Sequence, residues 1–247
     1  FFFKQKTAYE IKECDWSSDV CSSDLDIENR REERLLQYHQ SGIFSMITSA
    51  KHHFIFTLSG DGELGVMDAD TLQLNRKFVL GGGKLRSAAL NQEENLLAIG
   101  AGDGTIRIYS LPDLQLQHQW QAHDAGFSVN ALHFSPDGSK LLSGSSDAHL
   151  KLHEVNQAYR LVQDIPAHNY AIYGIEYHNE GAIFATASRD KTVKIWNAET
   201  CEVLLRINKE NSDGHLNSVN KILWHKGAGN LVSASDDRSI MVWQVER

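Results

Sequence analysis

Proline is nearly absent from this chain, three in 247 residues, and cysteine and methionine are equally sparse at three each. So little proline leaves helices without an obvious stop signal, yet no stretch after the first 25 residues holds a clean 3.6-residue period. Two of the three cysteines, Cys14 and Cys21, fall within the first 25 residues, which leaves Cys201 alone in the remainder. One cysteine builds no disulfide framework or thiolate metal site, and it suits a reducing compartment. The expected location is cytoplasmic. No apolar run approaches the roughly 20 residues of a membrane-spanning helix, so no membrane partner is expected. Basic residues are also in deficit, 24 against 32 acids, for a net charge of −8. Without a basic stripe, nucleic acid is not expected as the main partner.

The first 25 residues read as foreign. Asp15-Trp-Ser-Ser-Asp-Val-Cys-Ser-Ser-Asp-Leu25 and Lys4-Gln-Lys-Thr-Ala-Tyr-Glu-Ile11 resemble translations of two adapter blocks used in short-read sequencing libraries, in their usual order. Residues 1–25 are therefore set apart as an adapter-derived leader, as a fusion scar would be. Its expected place is outside the packed fold. The leader holds three lysines and five acids, so the remainder carries about −6.

What is abundant is a repeat. Leu58-Ser-Gly-Asp-Gly-Glu-Leu-Gly-Val-Met67 returns as Gly100–Tyr109, Gly144–His153, Ala187–Trp196 and Ala234–Trp243. Its fixed aspartates are Asp61, Asp103, Asp147, Asp190 and Asp237, stepping by 42, 44, 43 and 47. Such a period marks units that bury their apolar faces only against their neighbours. Each unit reads as four short strands. In the clearest, 171–177 alternates, His178–Gly181 turns, 182–188 is a second strand, and Asp190 turns into Thr192–Trp196 before an outer strand over 202–207. Period-2 runs punctuated by Gly, Asp, Asn and Ser indicate antiparallel pairing. The expected class is all-β, with units at about 41–80, 81–120, 121–165, 166–210 and 211–247.

The turn Phe134-Ser-Pro-Asp-Gly138, the pairs Ala122-His123, Ala167-His168 and Gly214-His215, and Trp196 and Trp243 make 26–247 resemble a WD-repeat β-propeller. The resemblance implies five blades of a seven-blade ring, with 26–40 as the tail of a preceding blade. It also implies a hydrogen-bonded tetrad in each well-formed blade: His168, Thr186, Asp190 and Trp196 in the fourth, His215, Ser233, Asp237 and Trp243 in the fifth. The third blade has His123, Ser143 and Asp147 but His153 for tryptophan. The first two have Met67 and Tyr109 at that position and no leading histidine. For closure, Leu35–Gln40 is the candidate strand against the last blade.

Sharper chemistries read poorly. A hydrolytic triad occurs once, beside an oxyanion hole, whereas this His/Ser/Asp set recurs beside a tryptophan. His149 and His153 have the spacing of a helical zinc pair, but on a strand they lie roughly 13 Å apart. Gly81–Gly83 and Gly100–Gly104 resemble phosphate loops, yet a strand and not a helix follows. No metal, cofactor or catalytic residue is expected. The family resemblance implies a non-catalytic scaffold binding other proteins. The candidate contacts on the loop face are Tyr170, Tyr173, Arg189, Lys191, Asn217 and Asp236. The competing reading is a propeller enzyme, or an accessory domain of one, with several carboxylates of raised pKa at the ring centre.

Overall fold

The computed structural model describes residues 5–10, 22–26, 31–225 and 229–244. Its strands are β1 (Gln5–Glu10), β2 (Ser22–Asp26), β3 (Arg31–Leu36), β4 (Ile43–Ser49), β5 (Phe54–Ser59), β6 (Glu63–Asp68), β7 (Leu74–Val79), β8 (Leu85–Leu90), β9 (Leu96–Ala101), β10 (Thr105–Ser110) and β11 (Gln115–Gln121). The series continues with β12 (Val129–Phe134), β13 (Lys140–Ser145), β14 (His149–Glu154), β15 (Arg160–Pro166), β16 (Ile172–Tyr177), β17 (Ile183–Ser188), β18 (Val193–Asn197), β19 (Val203–Ile207), β20 (Val219–Trp224), β21 (Leu231–Ser235) and β22 (Ser239–Trp243). One helical turn, α1 (Lys209–Ser212), precedes β20 and is closed by reciprocal bonds between Asn208 and Asn211.

These strands form five four-stranded antiparallel meanders, the blades of a β-propeller. Four run in chain order, β4–β7, β8–β11, β12–β15 and β16–β19; the fifth is β20–β21–β22 with β1 on its outer edge. The innermost strands pack in succession, β4 on β8, β8 on β12, β12 on β16 and β16 on β20. Fixed turns join the second and third strands of each blade. Leu58, Gly100, Gly144, Ala187 and Ala234 precede these turns, and two of them are glycines for a reason of space. A Cβ at Gly100 would come within 2.8 Å of Val129, and one at Gly144 within 2.6 Å of Ile172, each on the next blade's inner strand.

Apolar burial sits between the blades, as expected of units that cannot bury their faces alone. One cluster joins Phe56, Leu58 and Val66 to Leu85, Leu97 and Ile99 across the first interface. Ile106 and Ile108 meet Val129, Phe134 and Leu141 across the second. Leu150 and Leu152 meet Ile172, Phe184 and Trp196 across the third. Val193 and Ile195 meet Val219, Trp224 and Trp243 across the fourth. Each fully buried Leu, Ile or Phe contributes about 1.5–3 kcal/mol relative to exposure.

One expectation is corrected at the N-terminal side. Residues Gln5–Glu10, expected to lie outside the packed fold, pair antiparallel with β22, Gln5 opposite Trp243 and Glu10 opposite Ser239. Residues Ser22–Asp26 pair with Arg31–Leu36 as a two-stranded sheet. The physical reason is the open edge of β22. An open edge presents unpaired N–H and C=O groups, and pairing with them asks little of side-chain identity or origin.

Candidate functional site

The tetrads are built from four elements of one blade. In the fourth, His168 Nδ1 lies 2.9 Å from Asp190 Oδ2, and its Nε2 2.7 Å from Thr186 Oγ1. Trp196 Nε1 donates to the same Thr186 oxygen at 2.8 Å. In the fifth, the matching distances are 2.9 Å for His215 to Asp237, 2.8 Å for His215 to Ser233 and 2.9 Å for Trp243 to Ser233. The aspartates also hold the backbone, accepting from Asn169 N at 3.1 Å and Leu216 N at 2.8 Å. Burial tends to raise the Asp190 carboxyl, but His168 and Thr192 outweigh it and hold it far below the ordinary range. The balance at Asp237 leaves it at about 2, with Ser239, Leu216 N and His215 opposing burial. These carboxylates stay ionised and bonded, which makes them fasteners and not proton carriers.

The other three blades solve the same problem differently. In the third, His123 reaches Asp147 at 2.8 Å and Ser143 at 3.0 Å. His153, in tryptophan's place, is buried against Trp120, ring centroids 5.3 Å apart. The first blade does have a leading histidine: His39 Nε2 lies 2.8 Å from Thr57 Oγ1. Its 18-residue step to Thr57 equals that from His168 to Thr186 and from His215 to Ser233, a signal present in the sequence but overlooked. In the second blade the corresponding backbone position is Gly81. Arg107 fills the space: its guanidinium bonds Gly81 O at 3.3 Å and stands 4.0 Å from Asp103. Gly82 makes room for it at φ +77°, since a Cβ there would meet Arg107 Nη2 at 2.6 Å.

His39, Asp61 and Glu63 bring three potential metal donors within 4.8 Å of one another. A lysine already answers that charge. Lys77 Nζ lies 2.5 Å from the Glu63 carboxylate, while His39 Nδ1 faces the same carboxylate at 3.5 Å. Asp61 is engaged by Ser59 and by Glu63 N. A dication here would sit beside an ammonium, so the set works as a tetrad variant.

A second arrangement, at one end of the inner strands, went unread in the sequence. All five inner strands shift register at the same place: between Ile43 and Ser45, Leu85 and Ser87, Val129 and Ala131, Ile172 and Gly174, and Val219 and Lys221. The residues skipped are Phe44, Arg86, Asn130, Tyr173 and Asn220. A bulge re-aims its extra residue out of the pleat, and five in register give one ring of side chains. The loop residues flank this ring. Tyr170 is 59% exposed, and the Arg189 guanidinium lies 6.0 Å from its ring centre. Ser188 Oγ and Ser235 Oγ tie the turns to Tyr170 O and Asn217 O at 3.0 and 3.2 Å. Asn220 Nδ2 donates to Asp236 at 2.5 Å. Lys191 is exposed in the same turn as Arg189, at φ +70°. All six candidate contact residues thus lie on the side of the second-to-third-strand turns. Exposed Phe127 and Leu216 share this side, and neither was singled out from the sequence.

A family model for the nucleolar protein 10-like N-terminal domain, described as a β-propeller, matches residues 23–246. The chain belongs to that family. WD-repeat relatives agree with the assignment. The chain is 28% identical over 159 residues to the target of rapamycin complex subunit wat1 of Schizosaccharomyces pombe, covering 62% of this chain and 46% of the relative. It is 28% identical over 173 residues to human pre-mRNA-processing factor 17, covering 54% and 30%. Nuclear distribution protein nudF of Aspergillus niger is 25% identical over 240 residues, covering 87% and 52%. The chain thus spans about half or less of the length of these curated relatives.

Proposed function

We propose that this nucleolar protein 10-like propeller is a non-catalytic scaffold that binds other proteins through the face carrying Tyr170, Tyr173, Arg189, Lys191, Asn217 and Asp236. The observation that carries the reading is the exposed aromatic and arginine set on a rigid frame: Tyr170 under Arg189, with Phe127 and Leu216 exposed on the same side. Aromatic and arginine side chains are the usual anchors of protein interfaces. The names of relatives fit, since wat1 is described as a complex subunit.

The electrostatics favour a scaffold over an enzyme. Among the described residues, every carboxyl with a resolved displacement goes down, from Asp61 and Glu94 to Asp190 and Asp237. A general acid needs the opposite. We propose no role for nucleic acid or membrane as the primary partner, on the net charge of −8. Cytoplasmic placement is a proposal resting on cysteine usage alone. The names of the family and of relatives include nucleolar and nuclear ones, and imaging of a fluorescent fusion decides between the compartments.

The test of the scaffold reading is capture of a partner by the immobilised chain, compared with Tyr170→Ala/Arg189→Ala. The expected result is loss of capture with an unchanged melting temperature. Capture that survives the double substitution places binding elsewhere and overturns the assignment of this face.

A further inference from the structure

One side chain in the bulge ring has its charge unanswered. Arg86 is half-buried, and its Nε is buried without a hydrogen-bond partner. Its guanidinium carbon lies over the Phe44 ring in a cation–π contact, 4.0 Å from the ring centre. That contact is attractive but satisfies no N–H. Burial pulls its pKa down from the ordinary arginine value, and the Tyr173 phenol acts in the other direction. Three other partly buried cations are answered: Lys77 by Glu63, Lys151 by Asp164 and Arg107 by Gly81 O, Gln119 and Asp103. Arg86 alone among these has an aromatic floor and open donors.

A desolvated guanidinium with free N–H groups costs free energy until an anion arrives, and it presents the planar fork that carboxylates fit. The neighbours at the same bulge register are neutral: Phe44, Asn130, Tyr173 and Asn220. They supply an apolar wall, amides and a phenol, which suit a peptide side chain. Nucleic acid binding draws on several phosphate contacts at once, whereas this ring offers one cation in a chain of net charge −8.

We infer that the bulge ring receives an acidic side chain from an extended segment of a protein partner, its carboxylate meeting Arg86 between Phe44 and Tyr173. This rests on the scaffold reading and specifies the partner's chemistry at its centre.

The probe is a fluorescent peptide alternating Glu with Leu, and its twin with Gln for Glu, titrated at low salt by polarisation. The unaltered chain should bind the Glu peptide at least about tenfold more tightly than the twin, a carboxylate–arginine increment of ordinary size. Arg86→Gln should erase the preference, Arg86→Lys should keep part of it, and the exposed control Lys84→Gln, with the same change in net charge, should leave it. Melting temperatures of the variants identify any loss that comes from unfolding, and Arg86→Lys then stands as the second reading. Equal binding of the twins, no binding of either, or a preference that survives Arg86→Gln overturns the inference. If the twins bind alike and Tyr170→Ala/Arg189→Ala removes both, the face is right and the carboxylate is wrong. If neither change affects peptide binding, the face is wrong as well. A single-stranded RNA of equal length that displaces the Glu peptide through Arg86 also overturns it.

Discussion

At the scale of single residues, the tetrad differs between blades in whether its buried polar atoms are answered. Thr186 accepts from Trp196 while facing His168, so Trp196→Phe leaves a buried hydroxyl short of one partner. That change should cost about 1–3 kcal/mol in urea titrations. Tyr109→Phe, in a blade whose corresponding positions hold Ile99 and Gly81, should cost less; equal costs would show that the Trp196 bond adds nothing. His153 gives a prediction in pH. Burial, then the charges of His123 and Lys151, lower its pKa from about 6.5 to about 4. The folded state therefore holds the neutral ring while the unfolded chain takes up a proton below pH 6.5. Stability from this group is full above pH 6.5 and falls by about 1.4 kcal/mol per pH unit as the pH drops toward 4, roughly 3 kcal/mol in all. His153→Phe should flatten that slope relative to the unaltered chain, as read by denaturant midpoints across the window. Parallel slopes for the two proteins would mean that the imidazole is not held neutral.

At the scale of elements, edges and registers decide more than side-chain identity. β1 covers the outer edge of β22 through backbone pairing, so deleting residues 1–25 should re-expose that edge. Concentration-dependent self-association should then increase, measured by light scattering on a sizing column. Replacing Gln5–Glu10 by another alternating Thr/Val segment should suppress it again; equal behaviour of all three chains would show that β1 protects nothing. The repeat aspartates, the strand order within blades and the two full tetrads were legible in the sequence, because turn chemistry and hydrogen-bonding residues recur at fixed steps. His39 was legible in principle from its 18-residue step to Thr57. It is masked because Glu63 stands where Thr192 and Ser239 do in the later blades, and because 26–40 resembles the tail of a preceding blade. Arg107 could not be read as a substitute for histidine, since the exchange trades a loop residue for a strand residue across the blade. The bulges were illegible for a deeper reason. A register shift is a property of two paired backbones, and Phe44, Arg86, Asn130, Tyr173 and Asn220 share no side-chain chemistry that would announce it.

At the scale of the whole molecule, four inter-blade cores join five blades, and burial shows where the succession stops. The first buried position of the inner strand is fully covered at Leu85, Val129, Ile172 and Val219, each 0% exposed, yet its counterpart Ile43 is only partly covered. On the same strand Met46 is 63% exposed. At the other end, Ile240 and Val242 of β22 are only half-buried, where Ile106, Ile108 and Leu150 are fully covered. Among the described elements, β20 makes no interface with β4 like those that join the other inner strands. Among the described residues, the leading face of the first blade and the trailing face of the fifth are therefore two different sheet faces of one arc with no blade packed on them. Different faces meet head to tail, a geometry that propagates unless its rotation closes, and half-covered apolar strands supply the drive. Sedimentation velocity should show the weight-average size rising with concentration. Val242→Lys, on the face of β22 turned away from the fourth core, should return the chain toward monomer without lowering its melting temperature by more than a few degrees. A chain that stays monomeric across the whole range, with amides along Ser239–Trp243 as protected as those along Thr105–Ser110, would instead mean that the ring is closed in solution.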